Sequence, residues 1–288
     1  MTYNETLTHL ITEALHEDTG DGDHSSLACI DHGAKGKAVL KIKQEGVLAG
    51  VEVAEAIFKH KEKGIKFEAF KRDGEKILYG EKAFEVEAQI HTILQCERLV
   101  LNCMQRMSGI ATLTKLYTRK LHGYKTRLLD TRKTTPNFRL LEKEAVRIGG
   151  GVNHRFGLYD MIMLKDNHID FCGGIEKAID LAAAYVIERK PGIKIEVETR
   201  SLDDVRRVIE SGKGKVFRIM LDNFKTGQIK EAVKMINGEF ETEASGGINL
   251  ENIEAFAETG VDYVSVGALI HQAKSLDLSL KAVVNVKM

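Results

Sequence analysis

Between Arg119 and Arg155 the chain carries ten Lys or Arg residues against three acidic ones, although the 288-residue sequence is neutral, with 42 basic and 42 acidic side chains. No long-range field is available to draw in nucleic acid or an anionic membrane, so any anion must be held by a local cluster. Arg119, Lys120, Lys125, Lys143 and Arg147 fit a solvated helix face. The segments DTRKTTP and GGGVNHR differ, because their basic residues sit among Gly, Thr and Pro in loop sequence. Arginine's fork suits a carboxylate held by two bonds, whereas lysine supplies a point charge for phosphate. A ligand carrying both kinds of anion would use Arg132, Lys133 and Arg155.

Two acids, Glu198 in IEVE and Asp222 in IMLD, close successive apolar β-type runs and oppose the basic cluster in sign. Carboxylates there could accept sugar hydroxyls, hold Mg²⁺ or stabilise a developing cation. Further on, ASGGINLENI and VSVGALI place glycines directly after strands and before helices, where backbone N–H groups can cradle a phosphate. One Gly pair alone would more often mark a turn. Two in consecutive terminal units point to a phosphate monoester site. The GGG of residues 149–151 lacks the GxGxxG spacing of a dinucleotide fingerprint. Together these residues describe a site for a phosphorylated sugar joined to a polyanionic acceptor.

Positioning them requires a particular order of elements. The first hundred residues alternate β-type runs, KAVLKIKQ and KAFEVEAQI, with the helical stretch VEVAEAIFKHKEKG, an α+β layer. From about Gln89 the pattern turns helical through ERLVLNCMQRMSGIATLTKLYTRKLHG, predicting a long helix that joins two halves. In the second half, apolar runs end at Glu198, Asp222, Ser245 and Gly267, at intervals of 24, 23 and 22 residues. That interval suits one strand, one helix and two loops, so the segment reads as β/α units of a parallel barrel, with RLLDTRK and DMIMLKDNH as earlier units. Lys133, Lys165, Glu198, Asp222, Ser245 and Gly267 would then share the mouth at the C-terminal strand ends. Any one of them alone would be read as a helix cap; six of sorted chemistry are read as a site.

An apolar fraction of 43% is ample for a buried core. Cys29, Cys96, Cys103 and Cys172 form no CxxC pair and no metal spacing, so reduced thiols and a cytoplasmic setting are expected. The start, MTYNETLTHLITEAL, has no signal-peptide pattern, and no apolar run approaches the length of a membrane span. With only Pro136 and Pro191 and no low-complexity segment, no flexible linker is expected.

Over nearly its whole length the sequence resembles the quinolinate phosphoribosyltransferase family. The resemblance is carried by LLDTRKTTPNFRLLEKEAVRIGGGVNHRFGLYDMIMLKDNHI, IEVET, IMLDNF and ASGGINLENIEAFAETGVDYVSVGALIH, and near the start by EDTGDGDHSS, where His24 replaces a more usual small or aliphatic residue. It implies an α/β fold with an N-terminal α/β sandwich domain over residues 1–110, joined by 275–288, and an open seven-stranded α/β barrel over 111–274. It implies a homodimer whose active site is shared, with Arg98 in CERL reaching the neighbouring subunit's site. Arg132, His154, Arg155 and Lys165 would grip the two quinolinate carboxylates and Lys133 would meet the diphosphate. Glu198 and Asp222 would bind ribose hydroxyls and the Mg²⁺ environment. Ser245, Gly246, Gly247 and Gly267 would hold the 5′-phosphate.

The expected reaction transfers phosphoribosyl from phosphoribosyl diphosphate to quinolinate with decarboxylation, giving nicotinate mononucleotide for NAD biosynthesis. Lys133, Lys165, Glu198 and Asp222 would be its catalytic residues, Mg²⁺ its metal, and no organic cofactor would be required. Two other readings stand beside it: a molybdenum-transport-associated paralogue group of the same fold, and a catalytically inactive anion-binding protein on the same scaffold. Retention of the basic cluster, both acids and the glycine loops favours the enzyme.

Overall fold

The apolar run AVL, flanked by lysines in KGKAVLKI, is buried in β1 (Lys35–Ile42), which pairs antiparallel on both sides in a computed structural model that describes residues 2–283. Among the described residues, 2–115, 134–150 and 269–283 form one compact unit; residues 116–133 and 151–268 form a second.

In the first unit α1 (Tyr3–Thr19) and α2 (His24–Cys29) precede β1, and β2 (Gly46–Val47) leads to α3 (Val51–Lys61). β3 (Lys66–Ala69), β4 (Lys76–Ile77) and β5 (Lys82–Gln89) follow, and then the long α4 (Ile90–Lys120). The antiparallel sheet has the order β12-β1-β5-β3, where β12 is Leu278–Ala282, and β2 pairs separately with β4. Leu40, Ile42, Phe84 and Val86 are buried on the sheet with Ile57 and Phe58 of α3, and Phe84 stacks on Phe67 with ring centroids 4.6 Å apart. Aromatic contacts of this kind give the small core a fixed geometry. The long helix expected from ERLVLNCMQRM is α4, which crosses from the first unit into the second after Lys115.

Helix α5 (Arg139–Ile148) groups with the first unit although it lies inside the 111–274 segment expected to be barrel. Leu141, Ala145 and Val146 are buried, and a Cβ on Gly149 would come within 2.6 Å of the Ala111 carbonyl oxygen. Fully buried Glu142 accepts from Arg106 Nε at 3.0 Å, Arg106 Nη2 at 2.8 Å and the Thr135 amide at 2.8 Å. An ion pair of this kind is poorly replaced by water, so 134–150 stays with α4 and not with the strands it separates. Of the expected C-terminal segment 275–288, residues 284–288 lie outside the described residues.

The second unit is a six-stranded parallel sheet of order β6-β11-β10-β9-β8-β7. Its elements are β6 (Arg127–Leu129), β7 (Met161–Leu164), α6 (Asp166–Cys172), α7 (Ile175–Arg189), β8 (Lys194–Thr199) and α8 (Leu202–Gly212). Then come β9 (Arg218–Asp222), α9 (Thr226–Ile236), β10 (Glu241–Ser245), α10 (Ile253–Ala257), β11 (Tyr263–Ser265) and α11 (Ala268–His271), whose first residue closes the unit. Ile195 and Val197, Ile219 and Leu221, Ala244 and Val264 are buried along with Ile179, Val205, Val208 and Ile229 of the helices. Strand alternation puts Glu196, Glu198, Met220, Asp222, Glu243 and Ser245 on the opposite face. Beside these six strands the seventh expected position is a one-residue parallel bridge, Leu129↔Val152. Flanked by Gly151 and Asn153, Val152 can pair but has no neighbours to extend a strand. Among the described residues no helix is long and apolar enough to cross a membrane.

Candidate active site

β8, β9 and β10 run in register, pairing Glu198 with Met220 and Ser245 with Asp222, so their last residues come level at one end of the sheet. A cavity of about 570 Å³ opens there, lined wholly by the second unit. That volume lies within the range of small-molecule sites. Arg132, Lys133, His154, Arg155, Lys165, Glu198, Asp222 and Ser245 line it. Six strand-end positions were expected to converge; five do, and Gly267 is not part of the wall. Asp130, Thr131, Met163, Asp166, Asn167, Met220, Glu243 and Ser265 complete it. Arg98 is exposed on α4 in the first unit.

The basic wall is built by two loops. Buried Asp130, one residue past β6, accepts the His154 backbone N–H at Oδ1 (2.8 Å), fixing GGGVNHR against DTRK. Thr131 Oγ1 accepts the Lys133 amide at 3.1 Å, turning that chain segment. Arg155 is buried with Nη1 donating to the Met161 carbonyl at 3.1 Å. Burial first, and then the neighbouring Arg132 guanidinium, lower its pKa from the usual arginine range. Two guanidiniums in mutual repulsion on a cavity wall are poised for an anion that both can bind. Lys165 immediately follows β7, and its amide donates to His168 Nδ1 at 3.0 Å.

The acidic wall faces them from the adjacent strand ends. Burial and then the Asp222 carboxylate push Glu198 above the ordinary carboxylate range, while Lys165 pulls it back. Asn223 Nδ2 donates to Asp222 Oδ2 at 2.7 Å, and the Asn223 amide donates to the Ser245 carbonyl at 2.8 Å, tying the β9 and β10 ends together. The following glycine is obligatory: Gly246 has φ +97°, and a Cβ there would sit 2.1 Å from Asn223 Oδ1. Gly247 (φ +65°) is held by Asn252 Nδ2, which donates to its carbonyl at 2.9 Å.

Beneath the cavity lies a charged set that reading strands as apolar runs missed. Glu196 and Glu243 are both 0% exposed, and their Oε2 atoms lie 3.0 and 3.4 Å from His154 Nε2. Arg218 Nη1 lies 3.0 Å from Glu243 and 3.8 Å from Glu196, and Nη2 lies 2.8 Å from Glu241. Burial works to lower the His154 imidazole, but the Glu196 and Glu243 carboxylates outweigh it and raise it to about 9. The signal was present in the sequence: Glu196 and Glu243 each stand two residues before an expected site residue and so share its strand face. His154, Glu196 and Glu243 offer ligand atoms within 4.8 Å of one another, a set capable of holding a metal. The Arg218 guanidinium already supplies a cation there, so we assign them to an ion-pair network.

The quinolinate phosphoribosyl transferase N-terminal domain model matches residues 23–108 and the C-terminal domain model residues 110–281. Among curated proteins the chain is 45% identical over 285 residues to quinolinate phosphoribosyltransferase (decarboxylating) 1b of Nicotiana tabacum, covering 94% of this chain and 81% of that protein. It is 40% identical over 274 residues to the probable nicotinate-nucleotide pyrophosphorylase (carboxylating) of Bacillus subtilis, covering 95% and 92%. NadC from Streptococcus pyogenes superposes with a TM-score of 0.89 at 40% identity over 99% of both chains. The nicotinate-nucleotide pyrophosphorylase of Francisella tularensis gives 0.88 at 38% identity over 97% of both. With both domain models matched and the cavity built by the segments they cover, the chain belongs to the quinolinate phosphoribosyltransferase family.

Proposed function

We propose that this chain transfers phosphoribosyl from phosphoribosyl diphosphate to quinolinate and releases CO₂ and diphosphate, forming nicotinate mononucleotide for NAD biosynthesis. The observation that carries this reading is one cavity with a basic wall of Arg132, Lys133, Arg155 and Lys165 facing Glu198, Asp222 and Ser245. Arg132, Arg155 and Lys165, with His154, take the two ring carboxylates; Lys133 takes the departing diphosphate. Ser245, Gly246 and Gly247, with Gly267 beyond β11, take the 5′-phosphate. Glu198 and Asp222 accept ribose hydroxyls.

These residues act mainly by placement. As the C1–O bond to diphosphate lengthens, Lys133 balances the charge on the leaving oxygen, and Glu198 and Asp222 face the cationic ribose carbon. The ring nitrogen forms the new bond to C1. Holding the two reactants in line supplies on the order of 7–11 kcal/mol of the barrier. The adjacent carboxylate then leaves as CO₂, its bonding electrons passing into the ring, whose ribosylated nitrogen carries the positive charge; the carbon left behind takes a proton.

Glu198 and Asp222 also fit Mg²⁺. They offer hard oxygen donors, and a divalent cation would relieve both the burial and the Asp222 repulsion that raise Glu198. When bound, the ion would supply charge neutralisation to the diphosphate. A homodimer with a shared site, to which Arg98 of one protomer contributes in the other, and a cytoplasmic setting belong to the same proposal. Substrate choice tests the reading. Nicotinate, with one carboxylate, leaves part of the basic wall unpaired, so its kcat/KM should fall at least about a hundredfold below that of quinolinate. Equal efficiency would point to a different acceptor.

A further inference from the structure

We propose that Glu196 and Glu243 are positioning residues for quinolinate binding: two buried carboxylates, Glu196 behind the cavity and Glu243 at its wall, hold the His154 ring, and through it the backbone that presents Arg155. The proposal rests on the assignment of Arg155 and its neighbours to the quinolinate carboxylates.

Four observations carry it. Both carboxylates are fully buried, and Glu196 is not part of the cavity wall. Two like charges sealed in one place are costly, and replacing such a set with apolar side chains commonly stabilises a protein, so fold stability is a poor reason for their presence. Next, the segment they touch is held at several points. The His154 amide donates to Asp130, its Nε2 faces the two carboxylates, and its Nδ1 lies 2.7 Å from the Arg155 backbone nitrogen, so the ring bears directly on that backbone. Third, the set is tied to β9: Arg218 Nη1 donates to Glu243 at 3.0 Å and lies 3.8 Å from Glu196, and the guanidinium is fixed by Glu241 and by Tyr263, whose ring centroid is 4.2 Å from its carbon. Finally, Arg155 has one guanidinium nitrogen tied to Met161, so its reach into the cavity depends on where its own backbone stands. The line of support runs from β8 and β10, through one imidazole, to the arginine that meets substrate. A rotation of that imidazole would displace the Arg155 amide and with it the guanidinium, which is how Glu196, outside the cavity wall, affects binding without touching the ligand.

Glu196→Gln and Glu243→Gln keep the shape and remove the charge. Steady-state kinetics on the whole enzyme should show the KM for quinolinate raised at least about tenfold in each, with the KM for phosphoribosyl diphosphate little changed; the thermal midpoint falls, because one partner of a buried charged set has been removed. Glu196→Asp, which keeps the charge but withdraws it by one methylene, should give an intermediate rise. It also serves as the second variant if a Gln substitution does not fold. Because the carboxylates act through His154, adding Glu196→Gln to His154→Gln should cost no more than His154→Gln alone. A quinolinate KM within about twofold of wild type in folded Gln variants, or full additivity in the double variant, overturns the positioning role. So does a parallel rise in both KM values. Wild-type enzyme that ignores quinolinate overturns the underlying assignment as well, whereas active wild type with silent Gln variants overturns this proposal alone.

Discussion

His154 is the residue at which burial and charge are most sharply opposed. Its ring is almost completely enclosed, yet Glu196 and Glu243 hold it to about 9, above the ordinary histidine value of 6.5. A group whose pKa is raised on folding binds its proton more tightly in the folded state. Its contribution is therefore complete below about pH 6.5 and is lost as pH rises through 9. The size is on the order of 3 kcal/mol. Glu196, raised to about 7 by burial and then by the Glu243 charge, adds a loss of the same sign at lower pH, from its ordinary range up through 7. Unfolding free energy should accordingly fall between pH 6.5 and 9, and the His154 ring carbon resonance should titrate with a midpoint near 9. A midpoint at or below 6.5 would show that the carboxylates do not hold the proton.

At the scale of elements, the turns after β9 and β10 form one interlocked structure, and Gly246 is where they meet. Gly246→Ala would place a Cβ 2.1 Å from Asn223 Oδ1 and 3.0 Å from the Asn223 amide at φ +97°, so the turn must move. Strain of this kind costs about 1–3 kcal/mol. The KM for phosphoribosyl diphosphate should rise at least about tenfold while that for quinolinate stays within about twofold; the reverse pattern would remove the phosphate role of the loop. The spacing of Glu198, Asp222 and Ser245 was legible because each closes an apolar run, and a parallel strand buried on both faces keeps its polar residues for its end. Glu196 and Glu243 break that rule inside their strands and Arg218 at the start of β9, and an apolar-run reading passes over them. The placement of 134–150 was equally hidden. It depends on Glu142 meeting Arg106, 36 residues earlier, and on Gly149 lying against Ala111, contacts that no local pattern records.

For the whole molecule, Arg98 is the expected site residue that lies outside the second unit: it is exposed on α4 and does not line the cavity. Its role rests on the family resemblance. If Arg98 completes a neighbouring protomer's site, Arg98→Ala and Arg155→Ala proteins, each inactive alone, should regain activity on mixing. With unbiased exchange about a quarter of wild-type sites are restored, because a mixed dimer with both lesions in one site keeps the other intact. With exchange verified by a fluorescent label, a mixture as inactive as its parents would show that the site is self-contained. The enzyme itself is tested most directly by product stoichiometry. Wild-type protein given quinolinate, phosphoribosyl diphosphate and Mg²⁺ should release CO₂ and diphosphate in equal amounts, matched by nicotinate mononucleotide. Diphosphate without CO₂, or no turnover of quinolinate, would contradict the assignment.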